Sequence, residues 1–256
     1  MIALVDVDAY LNSCAWEATS VSQAQEKFDE TVTNLVAETF AESWAGAIGG
    51  EYNFRETVFS EYKKSNTREK ARSKRQDWFP EFKEWIASKN EVVVSDNCEA
   101  DDYLAEWSTQ LRNLGIDCVV VTSDKDLLTI PGKVFSPAAN KFFGAESNFK
   151  ELNEREAFWF FCFQMLMGDS TDHIPGLPKV GPVKAEKFLE EKTPEQQGYL
   201  VKRLYQAHYD TWWRDYFLSN GKMLHMRRSP TDWFTEALFD QRTEVAQNEY
   251  RESLGA

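Results

Sequence analysis

Four short stretches of the chain carry carboxylates in pairs or threes. They are Asp6 and Asp8 in "LVDVD", Glu99, Asp101 and Asp102 in "CEADDYLA", Asp124 and Asp126 in "VVVTSDKD", and Asp169 and Asp172 in "GDSTDHIP". Singly, each has an ordinary explanation, because acidic residues favour the first turn of a helix and Asp favours loops. Jointly they stand at the ends of expected strands and helices, and several carboxylates on one edge cannot all ionise without cations between them. Hard divalent cations with oxygen ligands meet that need. Mg²⁺ takes a few carboxylates plus waters, and two such ions about 4 Å apart can activate a water and stabilise the leaving oxygen of a phosphodiester. No Cys/His cluster competes, since His173, His208 and His225 are scattered. The expected cofactor is therefore a hard divalent ion, Mg²⁺ or Mn²⁺.

Two further stretches could hold phosphates. Between Arg55 and Arg75 the chain places Lys63, Lys64, Arg68, Lys70, Arg72 and Lys74 against only Glu56, Glu61 and Glu69, a basic segment inside a chain of net charge −13. That local asymmetry matters more than the average, which taken alone argues against a nucleic-acid partner. "GLPKVGP" follows the last acidic pair, and Gly176 and Gly181 permit tight turns that let a phosphate backbone approach closely. Lys179, Lys184 and Lys187 lie in or beside it. Tyr52, Phe54, Phe59 and Tyr62 are candidates to stack on an unpaired base.

The elements that must position these groups can be read from pattern. "IALVDVD" is a buried strand whose period of two sets Asp6 and Asp8 on one side of its end. Residues 16–44 predict one long helix, "WFPEFKEWIAS" another, "EVVVSD" at 91–96 a short strand, and "EADDYLAEWSTQLRNLG" a helix stopping at Gly115. "DCVVVTSDKD" is a third strand running into a loop. Strand and helix thus alternate through residue 130, which predicts an α/β fold with a parallel sheet covered by helices and a site beyond the strands' carboxyl ends. Asn153 and Glu156 have capping-box spacing before an apolar helix ending at Gly168. "KAEKFLEE" and residues 199–221 read as helices, and the polar, acidic end of the chain has no readable role. With 42% apolar residues a full core is available. The single, dispersed cysteines at 14, 98, 118 and 162, the absence of a basic leader before Asp6, and the lack of any long apolar run predict a cytoplasmic protein with reduced thiols and no membrane span.

Together, and in this order, "LVDVD", "NFRETVFSEYKKSNTR", "CEADDYLA", "VVVTSDKDLLTI" and "LMGDSTDHIPGLPKVGPVKA" resemble the phage and bacterial 5′-nucleases, the flap-endonuclease-like 5′→3′ exonucleases, over most of residues 1–190. The resemblance implies a PIN-like nuclease domain over 1–150 with a basic arch or clamp at about 50–85. It implies a helix-three-turn-helix DNA-binding region over 151–225, leaving 226–256 as a C-terminal tail. By motif position, Asp6, Glu99, Asp101, Asp102 and Asp124 serve a first metal site, and Asp126, Asp169 and Asp172 help form a second. Lys63 matches a lysine at the scissile region, Arg55 a basic residue of the same stretch, and Arg68 an arginine following it. Lys63, Lys64, Arg68 and Arg72 of the clamp, with Gly176, Lys179, Gly181 and Lys184 of the turn, are the implied DNA contacts. In similar proteins that turn binds K⁺, which makes Gly176–Gly181 the place for one here.

The implied activity is metal-dependent hydrolysis of DNA near 5′ ends, flaps or branches, in replication or repair. One departure bears on it: where the family carries a further Asp ligand of the first metal, this chain has Gly50, beside Glu51. A structure-specific DNA-binding relative that cuts poorly, or a PIN-like ribonuclease, are the alternatives.

Overall fold

The computed structural model describes residues 1–64, 70, 74–137 and 148–255. Strand β1 (Ile2–Asp6) is apolar and buried, and it runs between β2 (Ser43–Ile48) and β4 (Cys118–Val121), parallel to both. Burial on both faces explains its unbroken apolar run. β3 (Val92–Val94) extends the sheet beyond β2, and β5 (Gly132–Phe135) beyond β4. β6 (Phe149–Leu152) closes the edge antiparallel to β5, giving the order β3-β2-β1-β4-β5-β6.

Helices cover both faces. α1 (Val7–Trp16), α2 (Val21–Glu38) and α4 (Phe79–Ala87) share one cluster around Phe28, Phe82 and Ile86. α5 (Ala100–Asn113) packs Leu104 and Ala105 against Leu4, Ala47 and Val120 on the other. A short α3 (Arg55–Val58) follows β2.

Several expected elements differ. β1 stops at Asp6 because that side chain turns to cap α1, accepting from the Ala9 N–H at 3.2 Å, so Asp8 stands in the first turn of a helix rather than on the strand. The long helix over 16–44 is shorter: Ser20 caps α2, which ends at Glu38, and residues 43–48 are β2. The predicted helix over 199–221 is two, α8 (Pro194–Tyr209) and α9 (Trp213–Leu224), parted at Asp210 with φ 48°. Gly221 lies within α9, where an added Cβ would meet the Phe234 ring at 1.9 Å.

The second half of the chain gathers around α6 (Glu154–Met167), whose expected capping box is formed by mutual Asn153 and Glu156 hydrogen bonds at 3.0 and 2.9 Å. α6 is buried nearly all round, by α7 (Pro182–Leu189), α8, α9 and α10 (Glu236–Ser253). The described part of the segment expected as a tail, residues 226–255, therefore supplies part of this core through Phe234, Phe239 and Ala246, while Met226 is buried in the cluster under α5.

Candidate active site

The carboxyl ends of β1, β2 and β4 and the start of α5 open onto one cleft of about 640 Å³. Every carboxylate expected as a metal ligand lines it except Asp102. On one side stand Asp6, Asp8, Asp101 and Asp124. Asp6 accepts from the Thr122 hydroxyl at 2.7 Å, Asp8 from the Gly49 N–H at 2.7 Å, and Asp124 caps the 3-10 turn Lys125–Thr129 through the Asp126 N–H at 3.0 Å. Burial, with the charges of Asp8 and Asp124, pushes the Asp6 carboxyl up to about 7. Burial and the neighbouring Asp6, Asp124 and Glu99 hold Asp101 well above the usual carboxylate range. Burial first, and then the neighbouring carboxylates, raise Asp6 and Asp101, as expected of a site that takes up positive charge. Among the described residues no three Asp, Glu, His or Cys side chains gather tightly enough to hold an ion by themselves. The carboxylates lining the cleft are nevertheless the hard oxygen donors that Mg²⁺ or Mn²⁺ take in small number together with water.

On the other side stand Asp126, Asp169 and Asp172, and here a cation is already present. The Lys125 ammonium pairs with Asp126 at 3.2 Å and with Asp169 in a shorter contact. Burial pulls Asp169 upward, but Lys125 outweighs it and leaves the carboxyl below its ordinary value. Asp126, which also accepts from the Gln164 amide, is carried up to about 7 by burial and Asp124.

Lys63 bridges the two sides. Its ammonium meets Glu99 closely and Asp172 at 3.5 Å, its φ is 55°, and its N–H donates to the Asp172 carbonyl at 3.1 Å. Tyr62 donates to Glu99 at 2.9 Å. Burial would raise Glu99, yet Lys63 and Arg55 hold it below its usual value.

Asp102 and Arg55 lie outside the cleft, facing each other. Both side chains are fully buried, and the guanidinium grips the carboxylate in two bonds of 2.6 and 3.0 Å. Arg55 also donates to the carbonyls of Met223 at 2.9 Å and His225 at 2.7 Å. Asp102 in turn accepts from the Glu99 N–H at 3.1 Å and the Arg227 N–H at 3.2 Å. With its oxygens consumed and no solvent face, Asp102 is poorly placed as a metal ligand, and Arg55 as a phosphate contact.

Gly50 is pressed against the end of β3. Its N–H donates to the Ser95 hydroxyl at 3.1 Å, and an added Cβ would lie 2.1 Å from the Ser95 carbonyl oxygen. This backbone thus excludes any side chain at position 50, whereas exposed Glu51 lines the cleft. Of the aromatics, Tyr52 is exposed, Phe54 packs edge-on against Trp233 at 5.0 Å, Phe59 packs against the helical core, and Tyr62 is buried.

Lys64 is exposed beside the cleft, and Arg68 and Arg72 lie outside the described residues. Gly176 has φ 58°, and a Cβ there would strike the Gly168 N at 2.3 Å, so this glycine is required by packing within the protein. Gly181 precedes α7 with open space around it, between exposed Lys179 and Lys184. Asp8, Lys83 and Lys125 also line the cleft. The doublet in "LVDVD" signalled Asp8, but nothing local to Lys83 or Lys125 signals that they turn inward.

A family model described as the 5′-3′ exonuclease, N-terminal resolvase-like domain, matches residues 11–152, more than half of the chain. The chain belongs to this family. Among curated members of the 5′-3′ exonuclease group, it is 33% identical over 148 residues to the 5′-3′ exonuclease of Buchnera aphidicola subsp. Schizaphis graminum, covering 55% of this chain and 49% of that one. It is 30% identical over 116 residues to DNA polymerase I of Caldicellulosiruptor bescii, covering 42% of this chain and 14% of the polymerase. The chain thus spans half or less of the length of these relatives. The T5 D15 protein, crystallised with metal ions, shares the fold with a TM-score of 0.65 at 14% identity, over 96% of this chain and 98% of that one. A second structure of that phage protein, as a flap endonuclease with DNA and metal ions, gives a TM-score of 0.57 at 16% identity, over 96% and 99%. Among the described residues no helix is long and apolar enough to cross a membrane.

Proposed function

We propose that this chain is a divalent-metal-dependent 5′→3′ exonuclease or flap endonuclease that hydrolyses DNA phosphodiesters near 5′ ends. The observation that carries the reading is the row of carboxylates lining one cleft at the carboxyl edge of the sheet, Asp6, Asp101 and Asp124 on one side and Asp126, Asp169 and Asp172 on the other, with Lys63 between them. In this reading Asp6, Asp8, Asp101, Asp124 and Glu99 hold one ion, and Asp126, Asp169 and Asp172 a second, Mg²⁺ or Mn²⁺ in either place. Bound ions supply the Lewis acidity that makes a water nucleophilic and stabilises a departing 3′ oxygen. Lys63, anchored by Glu99 and Asp172, offsets charge on the phosphate oxygens. Lys64 and the clamp residues Arg68 and Arg72 guide the strand, and Lys179, Lys184 and the open backbone at Gly181 receive phosphates of the duplex. A K⁺ ion at Gly176–Gly181 rests on the resemblance alone. Asp102 and Arg55 act from behind the site, holding the first turn of α5.

Cleavage of 5′-labelled duplex and 5′-flap DNA, with matched RNA strands alongside, tests this. Mg²⁺-dependent products near the 5′ end are expected from the wild type, with a loss of at least about a hundredfold in Asp124→Asn and Lys63→Ala. Salt-sensitive flap binding without cleavage in Mg²⁺ or Mn²⁺ would leave a DNA-binding relative. Preferential cutting of RNA would leave a ribonuclease.

A further inference from the structure

The two sides of the cleft differ in one respect that the family motifs do not reveal. Among the described residues Asp6, Asp101 and Asp124 make no ion pair, whereas Asp126 and Asp169 share the ammonium of Lys125. That lysine belongs to the 3-10 turn between the two carboxylates of "SDKD", of which Asp124 neighbours Asp6 and Asp101 while Asp126 meets the Gln164 amide and Lys125 itself. Asp126 is fixed by the buried amide of Gln164, and Asp169 by the N–H groups of Thr171 at 2.7 Å and Asp172 at 3.4 Å. Both acceptors are therefore rigid. The lysine is the movable member: its four-carbon stem is flexible, and its side chain keeps 20% of its surface exposed at the cleft.

We propose that Lys125 is a tethered cation occupying the second carboxylate pair, Asp126 and Asp169, so that a divalent ion enters there only as the lysine swings out. This rests on the reading of the cleft as a metal-dependent nuclease site. A divalent ion bridging these two carboxylates would need the oxygens that the ammonium occupies, and would meet its repulsion at short range, so the two compete for the pair. In the protein without DNA the lysine competes intramolecularly, present at high effective concentration and never lost by dilution. Strand phosphates change the balance. They offer the displaced ammonium another anion, so DNA and the second ion favour each other's binding, and reciprocity requires the coupling to run both ways. Lys125 would thereby tie loading of the second ion to the presence of substrate, limiting a fully armed site in the free protein.

The test counts Mn²⁺ on the metal-free, full-length protein, by calorimetry and by the electron paramagnetic resonance signal of free Mn²⁺, without DNA. Wild type, Lys125→Met and Lys125→Arg are compared. Methionine keeps the unbranched stem without the charge, and arginine keeps the charge. In Lys125→Met the weaker of two Mn²⁺ sites should tighten by about tenfold or more, while the stronger changes by less than about twofold and Lys125→Arg follows the wild type. Because Lys125→Met leaves two carboxylates unpaired, melting is followed in parallel. That variant should melt lower without metal and gain more from Mn²⁺ than the wild type does. An unchanged or weakened second site together with an equal gain on melting overturns the role of Lys125 and leaves the nuclease reading standing. Absence of Mn²⁺ binding to all three proteins overturns both.

Discussion

Arg55 uses its charge inside the protein. Its guanidinium bonds one carboxylate twice and two carbonyls of the 223–225 segment, while Phe54 covers it at 4.7 Å. Burial alone would lower its proton affinity, but Asp102 and Glu99 raise it well above its ordinary value, so the pair is charged at any working pH. Removing one member strands the other, which for a buried pair costs about 3–5 kcal/mol. Arg55→Ala should lose about that much in urea unfolding, and adding Asp102→Asn should recover part of it, a non-additivity expected of partners in contact. Arg55→Lys should fall between, since an ammonium cannot reproduce a two-pronged grip. A loss below about 1 kcal/mol in Arg55→Ala would sink the idea that this pair holds α5 to the C-terminal helices. The consequence for function is indirect: Asp102 also receives the Glu99 N–H, so a loosened Arg55 should disturb the carboxylate that anchors Lys63.

At the scale of elements, the turn after α6 depends on two glycines packed back to back. Gly168 and Gly176 both have positive φ, 70° and 58°, and a Cβ on either would lie within 2.3 Å of the other's strand of backbone. Gly181 caps α7 with nothing near it. Gly176→Ala should therefore cost several kcal/mol by strain and overpacking, whereas Gly181→Ala should cost under about 1 kcal/mol and affect DNA binding more than stability. Equal melting temperatures for the two variants would contradict this. Such differences mark the limit of what the sequence carries. β1, β4, α5 and α6 were legible because buried apolar runs and caps are local signals. β2, "SWAGAI", was not, because Gly46 and its small neighbours become a strand only by pairing with β1 and β3 on either side. α10 was missed because its polar surface leaves only Phe239 and Ala246 fully buried as apolar anchors. The acidic edge was legible as a set, but the separation of Asp102 from it depends on Arg55, 47 positions away, and the occupation of Asp169 on Lys125, 44 away.

For the whole molecule, of net charge −13, the cleft is an acidic region lined by ten carboxylates against four cationic side chains. Asp6 and Asp126 take up a proton near pH 7 when folded but near 3.8 when unfolded, so between those values the folded state binds more protons. Their stabilising contribution is fully present below 3.8 and is lost as pH rises through about 7. His225 works the other way over part of this range. Burial carries it down to about 4 from 6.5, so its contribution is complete above 6.5 and lost as pH falls. Above pH 6.5, therefore, the carboxylates act alone. The metal-free protein in a chelator should melt at progressively lower temperature from pH 6.5 to 8, and Asp6→Asn should flatten that slope. On the proposed reading divalent ions bind the ionised cleft, so Mg²⁺ should stabilise more at pH 8 than at pH 6.5. At about one hundred times its Kd a single ion adds about 2.7 kcal/mol, a rise on the order of 5–10 °C for a chain of this size. A melting temperature that stays flat with pH in chelator and does not respond to Mg²⁺ at pH 8 would mean that these carboxylates are neutralised within the protein, leaving the cleft with no call for a cation.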